Sequence, residues 1–287
     1  MTCTVISSLA DIAGDYDAIL CDLWGCYHNG ITPYQAAVDA CRSVRSAGGT
    51  VVLLTNAPRP APHVKSFLDK IGSPEDSYDA IVSSGAACQA ALTSGRHGTA
   101  FYYLGPDRDL HMLTGVGLEP TPEAEADAVL CTGLVDEWNE DLEDYAELLG
   151  RLRNRNLPLL CANPDIVVDR GEQRFWCAGA LARLYGEIGG EVLYFGKPHR
   201  PIYERAMEVL AETAGREIPA QRVLAIGDGP ATDVKGGCTF GLDTLFVTGG
   251  LALGELGPDP ERPDPALLDD YLATQGLNPR YAIGRLR

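Results

Sequence analysis

Short apolar runs of strand length alternate with amphipathic segments toward both ends of this chain, and this alternation most constrains its fold. Residues 18–21 form the first such run, 50–54 the second and 222–226 a later one. Between them, segments such as 34–47 and 201–214 carry apolar residues at the spacing of one helix face. An order of this kind predicts a doubly wound α/β fold, in which helices cover both faces of a parallel sheet.

The pattern changes near residue 97, which indicates a second domain inserted into the first. Between 97 and 191 the strand-like runs are short, and one acidic stretch at 119–127 separates them. The earlier rhythm is expected to return with the apolar run Val192–Phe195. We therefore predict a discontinuous core domain of residues 1–96 and 192–287 and a smaller α/β domain of residues 97–191.

Composition argues against several classes of partner. The chain has 287 residues and a net charge of −17, so nucleic acid and anionic membrane surfaces would be repelled. The sequence has neither a signal-like N-terminus nor an apolar run of about 18 residues, so we expect a soluble cytoplasmic protein without membrane contact. The nine cysteines lack the spacing of a metal site. Cys21, Cys131 and Cys161 lie in apolar runs and are expected to be reduced core residues.

Polar residues stand where predicted strands end or turn into helices. These residues are Asp22, the pair Thr55-Asn56, Lys197 in a Gly-Lys-Pro turn, and Asp228. Because open parallel sheets bind ligands at the carboxyl ends of their strands, the side chains are expected to meet there. The two aspartates can share a Mg²⁺ ion, and Lys197 and Thr55 can hold phosphate oxygens. Asp22 can then attack phosphorus in line and give an aspartyl-phosphate that water hydrolyses.

The order and spacing of these motifs resemble those of the haloacid dehalogenase (HAD) superfamily, and within it the class IIA branch. Its four elements match this chain in order at Asp22, Thr55-Asn56, Lys197 and Gly227-Asp228-x-x-x-Thr232-Asp233. The resemblance covers about residues 17–250. It implies a Rossmann-like HAD core with an inserted C2-type cap. It also implies a Mg²⁺-dependent phosphatase that acts on a small phosphorylated metabolite, such as a sugar or nucleotide phosphate, and that can form a homo-oligomer.

The resemblance further implies roles for single residues at the reacting centre. Asp22 would be the nucleophile, and Lys197 would be a catalytic residue that also binds the phosphate. The metal would be held by Asp22, the backbone carbonyl of Trp24 and Asp228. Asp233 would support the metal or its water ligands, although alone it would be interpreted as a residue that favours a helix start.

Substrate contacts are expected from Thr55, Asn56 and Lys197, and from Asp165 in the turn Asn163-Pro164-Asp165. Such a turn is typical of caps in this class, by resemblance. Asp165 is open to a second interpretation, in which it only stabilises the turn.

Trp24 departs from the family pattern, in which a second aspartate two residues after the nucleophile acts as general acid and base. General acid–base catalysis contributes about 10²–10⁴-fold in rate. Trp24 therefore predicts a slow phosphatase, a substitute acid such as His28, or a leaving group that needs little protonation. The alternative is a catalytically weak binding or regulatory module that holds a phosphorylated ligand on the same fold.

Overall fold

The computed structural model describes residues 3–170 and 173–287, which divide into two compact units. The first unit comprises the chain up to Thr55 together with Lys65–Val82 and Tyr203–Arg287. The second comprises Asn56–Val64 and Ser83–Ile202. Among the described residues, no helix has the length and apolar character needed to cross a membrane. The cytoplasmic location stays a prediction.

The strands are, in chain order, β1 (Thr4–Val5), β2 (Ala18–Asp22), β3 (Thr50–Thr55), β4 (Ala80–Ser83), β5 (Phe101–Leu104), β6 (Ala128–Cys131), β7 (Leu159–Cys161), β8 (Val167–Arg170), β9 (Gln173–Trp176), β10 (Val192–Tyr194), β11 (Val223–Gly227), β12 (Asp243–Val247) and β13 (Tyr281–Ile283). The α-helices are α1 (Gln35–Ser46), α2 (Ala61–Lys70), α3 (Ser84–Thr93), α4 (His111–Thr114), α5 (Ala146–Asn154), α6 (Ala178–Glu187), α7 (Arg200–Ala214), α8 (Lys235–Phe240) and α9 (Pro265–Gln275).

The first unit is built on a seven-stranded sheet with the order β1-β13-β12-β11-β2-β3-β4. Successive strands proceed outward from β2 through β3 to β4, and in the other direction from β11 through β12 to β13. The strand order therefore reverses between β2 and β11, which are parallel neighbours. Both strands are buried along their whole length, as expected for central strands covered on two faces. The predicted doubly wound α/β fold is confirmed.

The register of these central strands aligns their polar ends. Cys21 of β2 pairs with Ile226 of β11, so the next residues, Asp22 and Gly227, lie side by side at one edge. On the other side Asp22 pairs with Leu54 of β3, and Thr55 follows it. Ligands of doubly wound sheets bind at such a reversal point, because the chain leaves the two strands toward opposite faces.

The second unit contains a four-stranded sheet with the order β10-β7-β6-β5 and a separate antiparallel hairpin of β8 and β9. Alternate residues of β6 enter two different cores: Val129 packs with α5 and α6, and Leu130 packs with α3 and α4. This alternation follows from the two-residue period of a strand. Cys131 and Cys161 are fully buried in the first of these cores, and Cys21 is fully buried in β2, as predicted.

Strand β10 differs from the sequence interpretation in its partner. The predicted strand exists, but it pairs in parallel with β7 and belongs to the smaller sheet rather than resuming the larger one. A three-residue strand carries no periodicity that identifies its neighbour, so sequence alone could not assign it. The domain boundaries at residues 97 and 191 stay a prediction.

Tyr27 anchors the loop that follows β2. Its side chain is fully buried, and its hydroxyl lies 2.8 Å from Ser73 Oγ and 2.6 Å from Ser77 Oγ. In the same loop, Leu23 O accepts hydrogen bonds from the backbone N–H groups of Tyr27 and His28. The segment between Asp22 and Tyr27 is therefore held at both ends within the first unit.

Replacing Tyr27 by Phe is expected to lower the free energy of unfolding by about 1–3 kcal/mol, because two buried serine hydroxyls each lose a partner. Tyr78→Phe is the matched control. The Tyr78 hydroxyl is buried with no hydrogen-bond partner in the described part of the chain, so its removal should leave stability unchanged or raised. Urea denaturation of both variants measures the difference. Equal losses would contradict the anchoring role of Tyr27.

Candidate active site

Three buried side chains meet where β2 and β11 end. Asp22 is the last residue of β2, Asp228 follows β11 directly, and Cys26 lies in the loop after β2. One ligand atom from each of the three lies within 4.8 Å of the other two. The predicted meeting of Asp22 and Asp228 is therefore seen within the first unit, and Cys26 joins them.

Two glycines allow the backbone to approach the Asp228 carboxylate closely. Gly25 has a φ of +88°, and a Cβ atom there would lie 2.2 Å from Asp228 Oδ2. A Cβ atom on Gly250 would lie 2.0 Å from the same oxygen. Oδ2 also accepts a hydrogen bond of 3.0 Å from the backbone N–H of Leu251. Because the carboxylate is enclosed by backbone on two sides, a side chain at either glycine would displace it.

Asp233 supports the loop that carries Asp228. It lies in a π-helical turn, Pro230–Val234, and its Oδ2 accepts hydrogen bonds from Gly229 N–H (3.2 Å) and Thr232 Oγ1 (3.1 Å). Single π-turns of this kind are frequent at functional sites. Asp233 is not among the three clustered residues, so its part in metal binding stays a prediction.

The donor set suits a divalent cation. Asp22 and Asp228 are 6% and 3% exposed, and two buried carboxylates this close repel each other strongly. A cation bound between them relieves that repulsion, and carboxylate oxygens are the donors that Mg²⁺ prefers. The residues therefore fit the metal that the sequence implied, although ligation by the Trp24 carbonyl stays a prediction.

Trp24 and His28 pack against each other beside this cluster. The Trp24 side chain is 46% exposed, and its ring meets the His28 ring edge-on at 5.4 Å between centroids. His28 is buried, and its Nδ1 accepts a hydrogen bond from Gly30 N–H (3.0 Å). The neutral ring thus carries its proton on Nε2. Burial lowers the pKa of His28 to about 4, so the ring is neutral near pH 7 and is a poor general acid there.

Asn56 organises the polar residues of the second unit. Its Nδ2 donates to Asp165 Oδ1 (2.8 Å) and to the Lys197 carbonyl (3.0 Å), and its Oδ1 accepts from Lys197 N–H (2.7 Å). One side chain thus joins the Gly-Lys-Pro turn to the turn around Asp165. The structure gives Asn56 a positioning role, and its contact with substrate stays a prediction.

The other predicted substrate contacts lie near this network or at the end of β3. Lys197 is 3% exposed. The turn at Asp165 is stabilised by the Asn163 side chain, whose Oδ1 accepts a hydrogen bond from Asp165 N–H (3.1 Å). The Asp165 carboxylate itself accepts from Asn56, so both interpretations of Asp165 stay open. Ser84 Oγ is buried in the same unit without a hydrogen-bond partner in the described residues. It lies 2.8 Å from the position of a Cβ atom on Gly196. Substrate contacts by Thr55, Lys197 and Asp165 stay predictions.

Sequence reasoning missed Cys26, Gly250 and Ser84. Asp22 stands four residues before Cys26 in the sequence, but Asp228 follows a distant strand that pairs with β2 only in the fold, so the local spacing does not reveal the cluster. Gly250 stands in a loop whose approach to Asp228 has no local signature. The Gly-Asp-x-x-x-Thr-Asp spacing did locate Asp228 and Asp233 correctly in one loop.

A cavity of about 480 Å³ elsewhere in the first unit is a poor alternative candidate for a phosphate-binding site. It is lined by Arg42, Arg45, Asp76 and Asp79, among others. Arg42 pairs with Asp76 and Arg45 with Asp79, each at 2.7 Å. Both arginines are thus neutralised, and a phosphate there would have to displace an aspartate.

Comparison with known proteins identifies the family. Residues 19–119 match the family of haloacid dehalogenase-like hydrolases, and residues 194–274 match a HAD-hydrolase-like family. The chain is 42% identical to a haloacid dehalogenase-like hydrolase from Brucella suis of known structure, with a TM-score of 0.84 over 99% of this chain and 100% of that one. The protein belongs to the haloacid dehalogenase-like hydrolases, in their class IIA branch, and it is a hydrolase.

Two further relatives are phosphatases. The chain is 28% identical to the 5'-nucleotidase YutF of Bacillus subtilis, over 88% of this chain and 95% of that protein. A glycerol phosphate phosphatase from Mycobacterium tuberculosis, whose structure contains calcium, is 23% identical over 87% of this chain and 71% of that one, with a TM-score of 0.65. The latter likeness is one of fold.

Asn56→Ala is expected to lower the free energy of unfolding by roughly 2–4 kcal/mol, because it removes three hydrogen bonds in a buried network. Asn139→Ala is the control, since Asn139 Nδ2 makes an exposed hydrogen bond to Asp136. That change should stay within about 0.5 kcal/mol of the parent. Guanidinium denaturation measures both, and similar small effects would refute the positioning role.

Proposed function

We propose that the protein is a Mg²⁺-dependent phosphatase of small phosphate monoesters that acts through an aspartyl-phosphate at Asp22. The observation that carries this proposal is the buried pair Asp22 and Asp228, clustered at the point where the strand order reverses. Family membership and the names of the two phosphatase relatives support the reaction class. Nucleotides and glycerol phosphate are the substrates that those names suggest.

In the proposed reaction, an Asp22 oxygen attacks phosphorus and the alkoxide or phenoxide leaves, so that a P–O bond forms as another breaks. Water then attacks the aspartyl-phosphate and releases inorganic phosphate and regenerated Asp22. A Mg²⁺ ion held by Asp22, Asp228 and the Trp24 carbonyl would neutralise phosphate charge. Asp233 keeps Asp228 in place through its loop.

Phosphate and substrate binding complete the proposal. Lys197 and Thr55 are assigned to the phosphate oxygens, where a cation and a hydroxyl stabilise developing negative charge. Asn56 orients the Lys197 backbone through its two hydrogen bonds. Asp165 is assigned to the non-phosphate part of the substrate.

A phospho-ligand binding module is the second candidate, favoured by Trp24 at the position of the family's general acid. The neutral, buried His28 does not fill that role. A panel of natural phosphate esters with Mg²⁺, assayed for phosphate release and for thermal stabilisation, separates the two. Turnover supports the phosphatase, whereas stabilisation without turnover supports the binding module.

Asp22→Asn should abolish turnover while the fold persists, because an amide is a poor nucleophile and is nearly the same shape as the carboxylate. Asp17→Asn is a matched control just before the other end of β2, where Asp17 pairs with Arg216 and Arg222. It should keep its activity. Phosphate release is measured in the presence of Mg²⁺ and again in the presence of EDTA. EDTA should abolish the activity of the wild type and of Asp17→Asn. Activity in Asp22→Asn would remove Asp22 from the nucleophile role.

Without a general acid, the rate should depend steeply on leaving-group pKa. Aryl phosphates would react well and alkyl phosphates poorly, because proton donation matters most when the departing oxygen must carry full negative charge. Trp24→Asp should restore a share of the missing ~10²–10⁴-fold on alkyl esters, with little gain on aryl esters. His28→Asn keeps an acceptor for Gly30 N–H. It should change the rate on aryl phosphates and the rate on alkyl phosphates only slightly. If the rate of the wild type does not change with the pKa of the leaving group, another residue supplies the proton.

A further inference from the structure

Cys26 is the one member of the metal-ligating cluster that the proposed phosphatase chemistry does not use. Its side chain is 2% exposed, and its sulfur lies within 4.8 Å of a carboxylate oxygen of both Asp22 and Asp228. A sulfur atom is a poor ligand for Mg²⁺, which prefers oxygen donors. It is a strong ligand for softer divalent cations such as Zn²⁺, Co²⁺ and Cd²⁺.

The surrounding backbone keeps Cys26 at the carboxylates. Gly25, its neighbour, donates its N–H to His28 O (2.9 Å) and lies so close to Asp228 that a Cβ atom would overlap Oδ2. Tyr27, on its other side, is fixed by the hydrogen bonds to Ser73 and Ser77. The backbone on both sides of Cys26 is thus fixed, and the buried sulfur can move only by rotation about χ1.

We propose that Asp22, Cys26 and Asp228 form a site for a thiophilic divalent cation, which competes with Mg²⁺ and has Cys26 Sγ as its third protein ligand. Binding would release the thiol proton to solvent and form one metal–sulfur bond. The inference rests on the proposed metal site, but it does not require that the protein turn over any phosphate ester.

The geometry suits three ligands on one ion. Zinc binds sulfur at about 2.3 Å and carboxylate oxygen at about 2.0–2.2 Å, so in a tetrahedral shell two such ligand atoms lie about 3.3–3.7 Å apart. The three atoms lie within 4.8 Å of one another, so side-chain rotations that close the gap by about 1 Å would bring them onto one ion. Three protein ligands leave the fourth position of a tetrahedral site for water or for a phosphate oxygen.

Co²⁺ is the probe for the test, because a cobalt–thiolate bond gives a charge-transfer absorption in the near ultraviolet. The metal-stripped protein, titrated with Co²⁺, should develop this absorption, and excess Mg²⁺ should reduce it. Cys26→Ser should lose it, whereas Cys238→Ser, which alters a partly buried cysteine outside the cluster, should retain it. Thermal melting confirms that each variant is folded.

Affinities measured by calorimetry give the selectivity. Cys26→Ser should weaken Zn²⁺ binding roughly 10–100-fold or more, because a direct ligand is lost. Mg²⁺ binding should change by less than about threefold, since its oxygen ligands remain.

If Cys26→Ser does not fold, X-ray absorption of the Zn²⁺-loaded wild type still decides the matter. One sulfur neighbour at about 2.3 Å is expected. A zinc shell of oxygen and nitrogen alone, or a charge-transfer band that persists in folded Cys26→Ser, would overturn the proposal. Loss of phosphatase activity in another assay would not affect this result, so failure of the proposed function is distinguishable from failure of the thiolate site.

Discussion

The parallel pairing of β2 with β11 is the constraint on which the rest of the first unit depends. Its register sets Asp22 beside Gly227, and the next residue of β11's loop, Asp228, brings a second buried carboxylate to the same edge. A slip of one residue would turn every side chain of a strand to the opposite face and separate the pair. The uninterrupted burial of both strands opposes such a slip, so the apolar packing that stabilises the sheet also fixes the distance between the Asp22 and Asp228 carboxylates.

The fold and much of the site could be predicted because their signals are local. Strand runs, helix spacing and a carboxylate directly after a strand are visible in short windows, and parallel strands bring their ends together by rule. Cys26 could not be predicted as a candidate metal ligand, because no feature of its own loop indicates that Asp228, far away in the sequence, lies next to it in the fold. The partner of β10 was likewise hidden, because three residues carry too little pattern to choose between two sheets.

Asn56 and Asp233, whose predicted contacts with substrate and metal stay predictions, also hydrogen-bond neighbouring backbone groups, and this has a physical reason. Asn56 hydrogen-bonds the backbone N–H and carbonyl of Lys197, and Asp233 accepts a hydrogen bond from the N–H of Gly229, which follows Asp228. A buried amide or carboxylate must find partners, and backbone groups near a site provide them. The spacing of a motif predicts that such a residue belongs to the site. It does not distinguish a residue that binds substrate from a residue that positions a substrate-binding loop.

The negative charge of the proposed active site accounts for its expected dependence on a metal. The chain carries a net charge of −17, and its proposed nucleophile is an anion that must approach an anionic phosphate. Asp228 adds a second negative charge within the same cluster, and His28, two residues after Cys26, is neutral near pH 7 because burial lowers its pKa to about 4. In a buried site of low effective dielectric, such repulsion is strong. A divalent cation between the two carboxylates cancels their two negative charges, so in the proposed reaction the metal removes the repulsion that opposes the approach of a phosphate to Asp22. The identity of the metal matters as well, because a thiophilic cation bound by Asp22, Cys26 and Asp228, as we propose, would take the place of Mg²⁺ between the two carboxylates.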